Sequence, residues 1–230
     1  MRVLSLDLST HTGWSVLESP EGKLIEYGLL EMDLMPEDYI DTPYPFNYIA
    51  ATEQFGHELA SFIETKRPNV IVIEETVPGR EVYSQKLIEG IHHELLRLLV
   101  GIKVVYLRTG SWRSAVDLRM SKADLKGNQK KNLLKAKQKA RELRGHIKAL
   151  GTKKVNADHV AELKFHLSKL QLGRVTRKHL AVRKVNELFG LDFGLDKHNE
   201  ADSILLGMAY LKGAPICDGL RPKHKKEQPA

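Results

Sequence analysis

A chain of 230 residues can bury one domain core with an insertion or a tail, whereas two full domains would be cramped. Its apolar runs, such as Val70-Ile-Val-Ile73, fall far short of the roughly 18 residues that a membrane span needs, and no basic leader with an apolar signal core opens it, so a soluble protein of the cytoplasm is expected. The single cysteine, Cys217, rules out an internal disulfide, and the net charge of +7 is modest but unevenly placed. Residues 119–184 hold 20 Lys and Arg against 4 Asp and Glu, so the remaining chain, with 16 basic and 25 acidic residues, is acidic. One acidic body carrying one strongly basic segment is the footprint of a polyanion binder, here nucleic acid; a solvated helix face is the plainer alternative.

In chain order, Val3, Leu4, Leu6 and Leu8 read as a strand buried on both faces, followed by a turn over Ser9-Thr-His-Thr-Gly13. Asp7 lies in that strand, where an unpaired carboxylate is costly, so it calls for a cation, a metal or firm donors unless it merely caps the turn. Residues 14–17 and 23–31 read as two further strands of an antiparallel meander joined at Ser19-Pro-Glu-Gly22. Residues 33–45, with three prolines, form a loop, and 46–66 form a helix with Ile49, Phe55, Leu59 and Ile63 on one side. Asn69-Val-Ile-Val-Ile-Glu-Glu75 is an apolar strand ending in two acids, and alternation puts Glu74 and Glu75 on opposite faces. A helix from about residue 80 to residue 99 and a strand over 103–107 follow. The next segment starts a short helix with Thr109 or Ser111 as its cap.

Residues 120–173 read as helical pieces interrupted at Gly127, Gly145 and Gly151. Helices over 177–188 and 199–212 return the chain to the core, and the tail is polar and basic. The organisation is therefore a core of 1–118 and 177–213, a basic helical insertion of 119–176 and a tail of 214–230.

Asp7, Glu74 and Asp202 each sit on an apolar element, and packing those elements together brings three like charges close. Unless a carboxylate takes up a proton, a divalent cation with a preference for oxygen, such as Mg²⁺, is their natural partner. Acids on strands beside a basic insert point to a metal-dependent nuclease. His57, His92 and His93 read as packed or solvated helix residues, and Trp112 as a core residue. Lys130, Lys131, Lys135, Lys137, Lys139, Arg141 and Arg144 are the candidate phosphate contacts, spread around a helix as suits a general electrostatic grip.

Leu4-Ser-Leu-Asp7 with its turn and Gly13, then Val70-Ile-Val-Ile-Glu74, then Ser111-Trp-Arg113, and finally Val185-Asn-Glu-Leu-Phe-Gly190 leading to His198-Asn-Glu-Ala-Asp-Ser203, resemble the RuvC family of Holliday junction resolvases, with the bacteriophage branch nearest in flavour. The resemblance covers most of 1–118 and 177–212 in order. It implies an RNase H-like α/β fold: a mixed five-stranded sheet, its first three strands antiparallel, with helices on both faces. It implies two Mg²⁺ ions per active site, replaceable by Mn²⁺, with Asp7 bridging both and Glu74 and Asp202 holding one each. It further implies a homodimer that makes paired symmetric nicks in four-way DNA junctions, in the host cytoplasm if the source is viral. The family pattern places an acid or a histidine three residues before the last Asp, where this chain has Asn199. The fourth ligand stays open among His198, Asn199 and Asp196, while Glu200 should point elsewhere. Competing readings are a broader branched-DNA or RNA/DNA-hybrid nuclease, an ATP-binding protein of the actin-like or sugar-kinase fold, for which one Gly13 supplies little phosphate cradle, and a non-catalytic DNA-binding protein.

Overall fold

The structure, a computed structural model, describes residues 1–34, 41–75, 82–130, 133–151, 156–171 and 174–217. In chain order the elements are β1 (Arg2–Asp7), β2 (His11–Glu18), β3 (Lys23–Glu31), α1 (Phe46–Lys66), β4 (Val70–Glu74), α2 (Val82–Leu98), β5 (Lys103–Leu107) and α3 (Thr109–Ala115). These are followed by α4 (Lys122–Lys130), α5 (Leu133–Leu150), α6 (Ala157–Gln171), α7 (Arg177–Phe189), a 3₁₀ turn (Leu195–Lys197) and α8 (His198–Leu211). The chain divides into two compact units, Met1–Leu118 with Ala181–Ala230, and Arg119–Leu180.

The first unit is built on one five-stranded sheet of order β3-β2-β1-β4-β5. β1, β2 and β3 pair antiparallel, whereas β4 joins β1 and β5 joins β4 in parallel. Alternation along the strands sorts the core into two layers. Val3, Val70 and Val72 face Trp112 of α3, Val185 of α7 and Leu205 of α8. Leu4, Leu6, Ile71 and Ile73 face Leu59 of α1 and Leu95 of α2. A sheet buried on both faces explains why β1 and β4 read as continuous apolar runs.

Three local expectations are corrected. β2 begins at His11 rather than Trp14, because Ser9 and Thr12 close the turn early: Thr12 Oγ1 donates to the Ser9 carbonyl at 2.7 Å and Ser9 Oγ to the His11 carbonyl at 2.9 Å. Gly127 and Gly145 lie inside α4 and α5, where no neighbour crowds them, and of the three only Gly151, at φ +64°, ends a helix. Ile49 is on α1 but half exposed, while Ala51 and Thr52 take the buried side. Of the predicted 33–45 loop, residues 35–40 lie outside the described residues, as do the start of the helix expected from residue 80 and residues 218–230 of the tail.

In the second unit α4 opens on a reciprocal cap, with Asp124 N donating to Ser121 Oγ at 3.0 Å and Ser121 N to Asp124 Oδ2 at 3.2 Å. Asn128 clasps Val175 through two backbone hydrogen bonds of 2.9 Å, tying α4 to the segment before α7. Among the described residues, Ala140, Leu143, Ile147 and Leu150 form a partly buried stripe on α5, and Leu163 is buried on α6. Among the described residues no helix is long and apolar enough to cross a membrane.

His92 is a packed histidine, as expected, with Nδ1 paired to the Tyr106 hydroxyl at 3.0 Å and Nε2 buried without a hydrogen-bond partner. Burial lowers its pKa to about 4, against a smaller opposing pull from Glu89. Below the ordinary histidine value of about 6.5 the unfolded chain binds a proton that the folded chain refuses. Stability should therefore fall as the pH drops from about 6.5 towards 4, by about 3 kcal/mol from this group. Urea unfolding at several pH values checks it: a His92→Phe variant should show a shallower acid slope than wild type, and an equal slope would refute the assignment.

Candidate active site

Asp7 is the last residue of the central strand β1, where it pairs across β2 with Gly13. Its place is thus the strand end. The β1–β4 register sets Leu6 beside Ile73, so one step further Asp7 stands beside Glu74, the last residue of β4. Val3 and Val72 belong to the layer under α3, α7 and α8, so alternation turns Asp7 and Glu74 towards that same layer. Two carboxylates from parallel neighbouring strands therefore share one end and one face of the sheet.

α8 supplies the third acid. It begins at His198, and its first turn rests on Gly13, the partner of Asp7: a Cβ at Gly13 would overlap the Asn199 carbonyl and come within 2.9 Å of Glu200 N. Only glycine allows that approach. Asn199 Nδ2 donates to the His11 carbonyl at 3.1 Å, pinning the turn to β2 and leaving Oδ1 as the amide's acceptor. Asp202 follows three residues later on the same side of the helix. Asp7 and Asp202 each take part in polar or electrostatic interactions. The loop before α8 is fixed by Asn186, which exchanges hydrogen bonds of 2.9 and 3.1 Å with the backbone of Phe193, after Gly190 has ended α7 at φ +63°.

Glu74 does not hang free in this site. Thr109 Oγ1 donates to its Oε1, and the Trp112 indole Nε1 donates to its Oε2 at 2.9 Å. Thr109 therefore spends its hydroxyl on Glu74 and caps nothing, and α3 has no side-chain cap. Glu75 lies with Tyr106 and Cys217: its charge adds to burial in pushing the Tyr106 hydroxyl up to about 12, and it reinforces burial in raising the Cys217 thiol.

The open positions around α8 differ in kind. His198 Nδ1 pairs with the Leu195 carbonyl at 3.0 Å, so Nδ1 carries the proton of that hydrogen bond. Asp196 is exposed in the 3₁₀ turn, and its Oδ1 folds back over Gly194 of its own loop. Glu200 is 1 % exposed: Oε1 accepts from Lys197 Nζ at 2.9 Å, while Oε2 is buried with no hydrogen-bond partner. That pair was hidden in the sequence because a Lys three residues before a Glu is usually a surface pair. Among the described residues no three His, Cys, Asp or Glu side chains are closed into a group that holds a metal ion. The donor chemistry, carboxylates with an amide oxygen beside them, nevertheless fits a hard cation of the Mg²⁺ class.

Of the candidate phosphate contacts, Lys139, Arg141 and Arg144 stand exposed on α5. Lys130 falls at the end of α4, Lys135 and Lys137 fall within α5, and Lys131 lies outside the described residues.

No family model matches the sequence, and no curated protein does. Among solved structures the chain is similar to Thermus thermophilus RuvC in complex with a Holliday junction substrate, at 11 % identity and a TM-score of 0.54 over 92 % of this chain and 94 % of that one. A second T. thermophilus RuvC structure aligns at 13 % identity and a TM-score of 0.49 over 92 % and 94 %. The yeast mitochondrial Holliday junction resolvase Ydc2 aligns at 14 % and 0.44 over 92 % and 78 %. The chain thus has the RuvC-like, RNase H-like α/β fold, with its mixed five-stranded sheet and helices on both faces.

Proposed function

We propose that this protein is a metal-dependent endonuclease that resolves four-way DNA junctions by paired symmetric nicks, acting as a homodimer. The observation that carries the reading is the convergence of Asp7, Glu74 and the first turns of α8 at one end of a RuvC-like sheet. Asp7, Glu74 and Asp202 would hold the Mg²⁺ or Mn²⁺ ions, two per site, with Asn199 Oδ1 or His198 Nε2 as the further donor; Asp196, folded onto its own loop, is the weaker choice. When bound, such ions neutralise the clustered carboxylates and stabilise charge developing on the phosphodiester oxygens. The chain's own part is placement: α3 orients Glu74, Gly13 seats α8 against the Asp7 strand pair, and the basic helices bind phosphates. A lone active site nicks one strand, so two opposed nicks require the second subunit.

The test is cleavage of a synthetic four-way junction, a fork, a linear duplex and an RNA/DNA hybrid, each with Mg²⁺, Mn²⁺ or chelator. Paired nicks in the junction, absent with chelator, are expected. Equal cutting of fork or hybrid would move the reading to a broader nuclease, and no cleavage of any branched DNA would sink it.

The grip is testable by salt. Each phosphate contact removed should lower the slope of log affinity against log salt by about 0.9. A variant with Lys139, Arg141 and Arg144 all changed to Ala should therefore lose about 3 units of slope and bind every DNA more weakly at low salt. An unchanged slope would remove α5 from the interface.

A further inference from the structure

We propose that Thr109 and Trp112 are positioning residues that set the metal affinity of the site by fixing the Glu74 carboxylate, an inference that rests on Glu74 being a ligand. Each oxygen of this carboxylate receives one hydrogen bond, Oε1 from Thr109 Oγ1 and Oε2 from Trp112 Nε1, so the group is gripped as by a fork. Both tines come from one turn of α3, which begins directly after β5, and Glu74 pairs in register with Leu107, the last residue of β5. The side chain is thus held by two donors of one short helix, of which Trp112 is fully buried. Trp112 has no exposed surface, and it packs in the layer that also contains Ala201 and Leu205 of α8. The indole nitrogen only donates, and each carboxylate oxygen keeps a second lone-pair direction open for a cation. Donors of this kind behind a ligating group orient it, and losing one typically costs 10- to 100-fold in metal affinity or activity.

A tryptophan serving only as core filler would be replaceable by phenylalanine. Here its ring joins the element behind Glu74 to the helix that carries Asp202, so one rigid residue relates two of the three acids. The Ser111-Trp-Arg113 motif thereby acquires a role that its composition alone did not disclose.

The experiment reads the indole N–H directly. The chain has two tryptophans, so its ¹⁵N spectrum holds two indole peaks, and Trp14→Phe assigns them. Glu74→Gln should move the Trp112 peak of the metal-free protein. Mg²⁺ titration should move it in wild type but not in Glu74→Gln. Trp112→Phe and Thr109→Val should each raise the Mg²⁺ concentration for half-maximal cleavage by about tenfold, with a smaller effect on turnover at saturating metal, and Thr109→Ser should restore it. A Trp112 peak indifferent to both Glu74→Gln and Mg²⁺ would overturn the proposal, as would half-saturation that stays constant or falls in the two variants. If no DNA is cut but the peak still follows Mg²⁺ through Glu74, the function fails while the positioning role stands. Because the peak is measured in wild type, the test survives a Trp112→Phe variant that does not fold.

Discussion

Asp7→Asn should reduce Mg²⁺-dependent junction cleavage by about a thousandfold or more, the loss of roughly 4 kcal/mol of transition-state stabilisation, while junction binding changes by only a few-fold. The substitution keeps shape and removes one charge. That charge sits on the central strand, between Gly13, on which α8 rests, and Glu74 on β4, so no other carboxylate can replace it from the same position. Binding should persist because the phosphate grip is assigned to exposed cations of a different unit. Single-turnover cleavage with a parallel gel-shift measurement separates the two effects. Glu75→Gln is the matched control: it removes an equal charge one residue from Glu74, but from the side occupied by Tyr106 and Cys217, and should stay within about threefold, short of half the free energy of one tenfold step. Undiminished cleavage by Asp7→Asn, or an equal loss in Glu75→Gln, would break the assignment of the site.

The elements that sequence alone delimits well are those with strong punctuation. β3 over 23–31, α1 over 46–66 and β5 over 103–107 have the bounds expected for them, because turn residues or prolines flank them. Where the signal fails, a tertiary demand has overridden it. Gly13 looks like a turn glycine but is a strand residue, kept small for a helix nearly 190 positions away in sequence. Thr109 looks like a cap, yet its hydroxyl serves a carboxylate on another strand. Glu200 looks like a surface acid, but the depth of α8 in the core buries it. The acids could be read because a carboxylate in an apolar run is anomalous in one dimension. Their hydrogen-bond partners could not, because a threonine at a helix start and a tryptophan in a core are ordinary until the strand register brings Glu74 beside them.

Gly13→Ala should therefore be among the most damaging single-atom additions to the core. The new Cβ would overlap the Asn199 carbonyl and press on Glu200 N, both backbone atoms of a helix in which no residue is exposed and Glu200, Ala201 and the 203–207 stretch are buried, so neither can yield as a flexible side chain would. Forcing α8 off β2 should cost about 3 kcal/mol, which in a chain of this size lowers the melting temperature by about 10 °C. The same displacement carries Asn199 and Asp202 away from Asp7, so the Mg²⁺ requirement of whatever folded protein remains should rise well above that of wild type. Gly145→Ala supplies the contrast: it too adds one methyl, but within α5 and with no atom nearby, so helix propensity should make it neutral or stabilising by up to about 1 kcal/mol. Thermal unfolding of the two variants, followed by Mg²⁺ titration at a temperature where both are folded, distinguishes steric exclusion at Gly13 from a general intolerance of added bulk. A Gly13→Ala protein as stable as wild type, with an unaltered Mg²⁺ requirement, would mean that α8 does not rest on the Asp7 strand pair as described.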